Sequence, residues 1–513
     1  MKKYILLLTV LIVVISILGF LSGDINAKEK ERTILTDAKT QIDKPTFSSE
    51  WQKYYPRQHD SWKQTKNDSE LRDMIKKWPQ LAILWAGYPF SKDYNAPRGH
   101  YYSIQDNVNT LRVGAPTQEN DSPLPTACWT CKSPDVVRLM ETNGDLDFFT
   151  GKWNRWGGEI VNSIGCYDCH NPQTSQLKMG RDYLNKGLKD AGLKTFEDST
   201  HQTKRDLVCA QCHSEYHFSP VKHGDDNEKT AMTVKLPWKD GLKATDMEKY
   251  YENGSNFADG KPFADFINAI SKTPIIKAQH PDYELHLSGI HGKKGVSCAD
   301  CHMPYTQEGS VKYSDHKVGN PLESMDRSCM TCHRESEAKL KSIVKEKYDR
   351  KEILFDISIN NIAKAHLEAA KAWEVGATQD EMNEILHDIR IAQWRWDYVV
   401  ASHGGFFHAP DESLFILGTS IDYAQKARLS LVSVLAKYGV FNYEAPDFSS
   451  KDKAQTLMSK YSGVNMDAEI EKKLNFKKTL EAEWKKLATQ NGILDEKVRD
   501  YKDDVSSYFG NPK

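Results

Sequence analysis

Ten cysteines constrain this chain more than any other feature. They form five pairs with none left over: Cys128/Cys131, Cys166/Cys169, Cys209/Cys212, Cys298/Cys301 and Cys329/Cys332, each spaced Cys-x-x-Cys. Four pairs are followed at once by a histidine: His170, His213, His302 and His333. Cys-x-x-Cys-His is the attachment signature of a c-type haem, in which two thiols bond the haem vinyl groups and the histidine becomes an axial iron ligand. Disulfides would not require a histidine after each pair. Zinc sites would combine two pairs and leave four flanking histidines without a role. The first pair departs from the rule, since Cys128-Trp-Thr-Cys131 is followed by Lys132. An amine must lose its proton before it can bind iron, and burial beside a cationic metal favours that loss. A haem with such a proximal ligand and an open far face suits catalysis more than simple electron transfer.

Thioether attachment places maturation outside the cytoplasm, and the N-terminus agrees. Lys2-Lys3 precedes an uncharged run from Tyr4 to Gly23, and Ile25-Asn26-Ala27 offers a weak cleavage site. The run is long enough to span a bilayer, so residues 1–27 are an export signal that is either cleaved or kept as an anchor. Residues 28–45 are polar and charged and read as a linker. The expected location is extracytoplasmic, in a periplasm or on the outer face of the cytoplasmic membrane. Lys plus Arg (69) nearly balances Asp plus Glu (71), which gives no sign of a nucleic-acid partner.

The fold expected is mainly α: a multihaem cytochrome c with a haem-packed core, long loops and a C-terminal bundle of long helices. Residues 46–335 form the haem-binding catalytic region. No β pattern persists across 127–333, and short helices are expected to start near each Cys-x-x-Cys. From about 336 to 513 Gly and Pro thin out, and apolar residues recur at helical spacing. Helices are expected near 336–374, 379–402, 411–438, 466–489 and 494–508, and Thr378-Gln-Asp-Glu381 reads as a capping box.

A haem that only carries electrons has two protein ligands, so four distal ligands are needed beyond the motif histidines. The candidates are His100, His291, His316 and His408, with His403, His286 and His223 as substitutes. His403 and His408 lie in Ser402-His-Gly-Gly-Phe-Phe-His-Ala-Pro410, an unusual break between helices.

With these residues in view, the chain resembles the pentahaem, ammonia-forming cytochrome c nitrite reductases. The resemblance rests on CWTCK at 128–132 followed by four CxxCH motifs, LRVGAP at 111–116, CAQCHSEY at 209–216, KAQH at 277–280, and QWRWD with SHGGFFHAP within 393–410. It implies five haem c groups and one calcium ion. Lys132 would be the proximal ligand of the active haem. Arg112, Tyr216 and His280 would form the distal catalytic trio. Glu215 and Gln279 would bind calcium through side chains, and Tyr216 and Lys277 through backbone carbonyls. His100, His291, His316 and His408 match the family's distal ligands; His217 stands where many relatives have a second tyrosine. The resemblance further implies a homodimer formed through the C-terminal helices, a membrane-bound quinol-oxidising cytochrome c as electron donor, and six-electron reduction of nitrite to ammonium. A non-catalytic multihaem electron carrier, or an enzyme acting on hydroxylamine or sulfite, are the competing readings.

Overall fold

The helices of this protein come in two kinds, long ones that pack on each other and short ones that punctuate loops. The structure, a computed structural model, describes residues 2–37, 42–118 and 120–498. Helix α1 (Lys2–Asp37) contains a 22-residue stretch, Lys2–Gly23, long and apolar enough to cross a membrane and not buried against the rest of the chain. The helix continues to Asp37, so part of the stretch expected to be a linker is helical; residues 38–41 of that stretch lie outside the described residues.

Residues 42–335 are built from short helices and turns. Each Cys-x-x-Cys sits in a tight turn, which brings both thiols to one side. Four pairs fall in or beside single 3₁₀ turns or the short helix α6 (Cys298–His302). The pair Cys209/Cys212 instead lies at the C-terminal end of α3 (His201–Ala210), which corrects the expectation that each motif starts a helix. No β pattern persists across this region, and the strands it holds are confined to local hairpins. Three antiparallel hairpins are present: β1 (His217–His223) with β2 (Lys229–Lys235), β3 (Phe266–Ile267) with β4 (Pro274–Ile275), and β5 (Tyr305–Glu308) with β6 (Val311–Ser314). They are short, so their alternation is too brief to stand out in the sequence. The turn at Gly224–Asn227 closes β1–β2 with two residues at positive φ, which glycine and asparagine tolerate. Other short helices used below are α2 (Tyr183–Asp190), α4 (Ala244–Glu252) and α5 (Asp282–Ser288).

The C-terminal part holds α7 (Glu337–Glu374), α8 (Gln379–Ala401) and α9 (Pro410–Lys437). Connections of a few residues make neighbours antiparallel. Thr378 and Glu381 form the capping box at the start of α8. The three helices meet at small residues: Ser358 and Ser420 share a hydrogen bond of 2.7 Å, and Ser420 donates to the Ala392 carbonyl at 2.7 Å. Ala365, Ala369 and Ala372 recur on one face of α7 and pack with Ile385, Ile389, Leu431 and Val434. The Arg428 guanidinium spans α9 to α7 by a forked contact with Glu368, with its shortest approach 2.7 Å.

After α9 come α10 (Lys451–Ser462), α11 (Met466–Lys478) and α12 (Leu480–Gln490). The single helix expected near 466–489 is therefore broken, at Thr479, whose backbone is non-helical. Helix α10 is an element the sequence reading missed. Residues 494–498 form a turn rather than helix, and 499–508 of the last expected helix lie outside the described residues. These elements wrap back on the N-terminal half. Gln455 donates to the Lys92 carbonyl at 2.8 Å, Lys92 pairs with Glu469 at 2.6 Å, and Asp495 accepts from Ser49 and takes part in bonding Asn162. Trp484 packs flat where only a glycine, Gly157, leaves room for it.

Candidate multihaem redox site

Among the described residues all ten cysteines are unpaired, so none is taken up in a disulfide. The attachment turns lie next to one another. Cys131 lies next to Cys212, and Cys209 next to Cys298. Cys301 lies within electrostatic reach of Cys329, and Cys169 within reach of Cys209. The five motifs thus form a continuous series, 128/131, 209/212, 298/301 and 329/332, with 166/169 beside the second member.

Cys332 departs from the other nine cysteines. They are half-buried, whereas Cys332 is exposed, and so is the adjacent His333. The turn at 329–331 closes the N-terminal half, and the exposed first residues of α7 follow it, so few side chains pack over Cys332. A thiol must be accessible to bond a vinyl group, so exposure leaves Cys332 in the attachment motif and puts the end of the series at the protein surface.

Each motif histidine faces one of the distal candidates. Ring centres are 6.0 Å apart for His170 and His316, 6.5 Å for His213 and His100, 6.2 Å for His302 and His408, and 6.1 Å for His333 and His291. An iron bound by two trans imidazoles at a metal–nitrogen distance of about 2.0 Å puts their ring centres about 6.3 Å apart, so all four spacings fit such an ion. Hydrogen bonding points the same way. Nδ1 of His170 pairs with the Ser175 carbonyl at 2.8 Å, His302 with Gly319 at 2.9 Å, and His316 with Ser314 at 2.7 Å. A backbone carbonyl at Nδ1 fixes the tautomer and leaves Nε2 free for a metal.

The substitutes are engaged elsewhere. His223 Nε2 bonds Thr150 at 2.7 Å, His286 Nε2 bonds the Val296 carbonyl at 2.9 Å, and His403 lies against His280 at 5.2 Å. The glycines of the 402–410 segment explain the seating of His408. A Cβ on Gly404 would approach the His408 ring to 2.6 Å, and one on Gly289 would collide with the His408 carbonyl.

Arg112, Lys132 and Tyr216 converge on the first motif, while His280 lies against His213 and His403, with ring centres 5.5 and 5.2 Å apart. The charges of Arg112 and Lys132 both act on the Cys128 thiol, and the Tyr216 hydroxyl feels both Cys128 and Cys131. Among the described residues neither Lys132 nor Arg112 has a carboxylate within ion-pair distance. Arg112 instead rests on the rings of Phe90 at 4.7 Å and Tyr94 at 5.7 Å. A guanidinium without an anionic partner makes this a pocket for an anion, whereas Lys132 as an iron ligand would be a neutral amine. The Arg112 turn is held from both sides. Asp93 accepts from Thr110 at 2.6 Å and from the Leu111 amide at 2.8 Å, and buried Lys473 of α11 donates to the Gly114 carbonyl at 2.8 Å. Burial pushes the Tyr216 hydroxyl well above its usual range and lowers His280 to about 3.

Beside this pocket lies a fully buried carboxylate, Glu215. It accepts from the Gln279 amide at 2.7 Å and from the Tyr251 hydroxyl at 3.2 Å. The Gln279 side chain reaches the Lys277 carbonyl at 2.9 Å. Glu284 and Asp397 are buried nearby and Asp265 is half-buried, against one lysine, Lys277, which pairs with Asp397 at 3.0 Å. Burial pushes the Glu215 carboxyl well up, Asp265 to about 7 and Glu284 to about 8, and one oxygen of Glu284 has no partner. Excess buried carboxylate beside a backbone carbonyl and a side-chain amide oxygen is the donor set of a hard cation. Glu215, Gln279 and the Lys277 carbonyl fit that role together.

The sequence reading missed the supports of this site. Asp397, within the quoted QWRWD, holds Lys277 and the Ala278 amide and so fixes the KAQH segment. Gln393 of the same motif donates to the Leu84 carbonyl at 2.9 Å, and Arg395 pairs with Glu248 of α4. Their signal was their place in a motif; their task needed the fold. Asp93, Lys473 and Glu284 carry no local signal.

Five paired-thiol turns, four facing imidazole pairs and a mainly helical scaffold define a c-type cytochrome. The chain belongs to the cytochrome c552 family, whose model matches residues 48–495. It is 51% identical over 512 residues to cytochrome c-552 of Aliarcobacter butzleri, covering 99% of this chain and 100% of that one. It is 52% identical over 499 residues to cytochrome c-552 of Maridesulfovibrio salexigens, covering 96% and 97%. Among solved structures it is similar to the cytochrome c nitrite reductase of Desulfovibrio desulfuricans, a catalytic subunit described with two calcium sites. That match has a TM-score of 0.69 and 30% identity, over 82% of this chain and 91% of that one.

Proposed function

We propose that this protein reduces nitrite to ammonium, taking up six electrons and eight protons and releasing two waters, at a haem held by Cys128, Cys131 and Lys132. The observation that carries this reading is the meeting of Arg112, a cation without a carboxylate partner, with Tyr216 at the one attachment turn that carries Lys132 in place of histidine, beside turns whose histidines each face a second imidazole. Haem iron, when bound, supplies electrons and a site for the nitrogen atom. Arg112 binds the anion; its guanidinium is permanently charged and is aimed by the Asp93 and Lys473 contacts. Tyr216 stays protonated, because burial raises its hydroxyl, and donates a hydrogen bond to substrate oxygen. His280, which burial keeps neutral, would hand protons on to the substrate only as it takes them up.

The other four haems would be bis-histidine electron carriers, paired as His170/His316, His213/His100, His302/His408 and His333/His291. Glu215, Gln279 and the carbonyls of Tyr216 and Lys277 would hold one calcium ion, which neutralises buried carboxylates and fixes the segments bearing Tyr216 and His280. Helix α1 would export the protein and bring it to a quinol-oxidising cytochrome at the membrane. Exposed Ile353 and Ile357 on α7 and Phe415, Leu429 and Val432 on α9 support a second copy of the chain as partner; sedimentation of Leu429→Glu as a wild-type dimer would overturn this.

An anaerobic assay with reduced viologen tests the reaction. Six electrons consumed and one ammonium formed per nitrite are expected. Nitric oxide as product would overturn the assignment, and turnover of hydroxylamine or sulfite alone would redirect it.

A further inference from the structure

Asp282 opens helix α5, and three histidines from three separate segments surround one of its oxygens. Oδ2 lies 3.3 Å from Nδ1 of His213, 3.8 Å from Nδ1 of His280 and 3.9 Å from Nδ1 of His403. The rings touch in sequence, with centres 5.5 Å apart for His213 and His280 and 5.2 Å for His280 and His403. The backbone ties the same groups together: the Asp282 amide donates to the His280 carbonyl at 2.7 Å, and the Tyr283 amide donates to the His213 carbonyl at 3.0 Å. Oδ1 of Asp282 is buried without a partner, and so is Nδ1 of His280. A carboxylate has two oxygens and about four acceptor positions, so one side chain can serve all three rings.

We propose that Asp282 is a positioning residue shared by the proton donor and the electron donor of the reaction, fixing the Nδ1 edge of His280 and, with the same carboxylate, that of His213. The proposal rests on the nitrite-reducing reading for the role of His280; for His213 it needs only the Cys209/Cys212/His213 attachment motif. The neighbouring contact of Cys131 with Cys212 puts that motif next to the Lys132 motif. With its Nδ1 turned toward Asp282 at 3.8 Å, His280 presents Nε2 to the reacting anion. An anionic acceptor at Nδ1 of His213 makes that imidazole a stronger donor to iron and stabilises the oxidised state, lowering the potential of that haem relative to one whose histidine bonds a neutral carbonyl. His170, His302 and His316 bond only carbonyls at Nδ1, so the carboxylate distinguishes the His213 site from theirs.

The test is Asp282→Asn in the full haem-loaded protein, which keeps the shape and removes the charge. Redox titration followed by electron paramagnetic resonance should show one low-spin haem moved to higher potential and the others unmoved. The kcat for nitrite should fall about tenfold, the scale of losing a carboxylate behind a metal-bound histidine, while KM holds because Arg112 is intact. No shifted haem signal, or a common shift of all of them, would overturn the proposal. The potential needs no nitrite, so it decides the matter even if the wild-type protein forms no ammonium. Should Asp282→Asn accumulate without haem, Asp282→Glu carries the same test: its longer side chain moves the carboxylate off both imidazoles, and an unshifted signal overturns the idea equally.

Discussion

Replacing Lys473 by methionine removes a titrating group from the interior and one of the two holds on the Arg112 turn. Lys473 is fully buried on α11; its ammonium donates to the Gly114 carbonyl at 2.8 Å and lies 4.7 Å from the centre of the Phe476 ring. Burial lowers its pKa from 10.5 to about 7, only partly opposed by the Asp93 carboxylate. The folded value lies below the unfolded one. The unfolded chain therefore binds this proton across a window from about 10.5 down to about 7 where the folded chain does not, and stability present above that window is lost as pH falls through it. Between about pH 8.5 and about pH 6 the loss amounts to about 2 kcal/mol, from about 1.4 kcal/mol per pH unit over the titrating part of the interval. Methionine keeps the length of the stem and carries no proton, at a cost of about 1 kcal/mol for the hydrogen bond to Gly114. Guanidinium unfolding of the haem-loaded protein, followed by far-UV circular dichroism at both pH values, checks this. The wild type should lose about 2 kcal/mol more than Lys473→Met on acidification. Parallel pH dependence in the two proteins would refute the reasoning. The variant should also raise KM for nitrite, since Gly114 lies two residues beyond Arg112.

Three further outcomes are expected. Lys132→His should retain haem at the first motif, as measured by the pyridine haemochrome, yet turn over nitrite more slowly; full activity would remove any special role for the amine. His408→Ala should convert one haem from low to high spin in the absorption spectrum, whereas His403→Ala should convert none, because only His408 faces a motif histidine. Chelation should lower nitrite turnover, and calcium should restore it where magnesium does not, since the donor set is all oxygen and irregular; equal rescue by magnesium would count against the Glu215 site.

The sequence alone decided whatever depends on covalent chemistry or local spacing. Haem attachment needs two thiols and a histidine within five residues, so the motifs are readable with no fold at all, and Lys132 stands out only because its four counterparts are histidines. The long helices were legible for a similar reason: α7, α8 and α9 each carry several turns of apolar repeat, and the Thr378–Glu381 capping box is a local pattern. Short hairpins such as β5–β6 and the break at Thr479 were not, since four alternating residues or one twisted backbone leave too little periodic signal.

What only the tertiary structure decided is which distant groups meet and which stay at the surface. Cys332 has the same local pattern as the other second cysteines, and only the packing around its turn leaves it exposed. Nothing near His100 in the sequence says that it faces His213, and nothing separates His408 from His403, five residues apart, until the fold turns one toward His302 and the other toward His280. The same holds for Asp282, which is an ordinary acidic residue at a helix start until three imidazoles gather around it, and for Lys473, which looks like any solvated lysine until α11 folds back on the Arg112 turn. Attachment is a property of adjacent residues; ligand pairing, charge burial and the aiming of a side chain depend on distances through space, which packing of the whole chain sets.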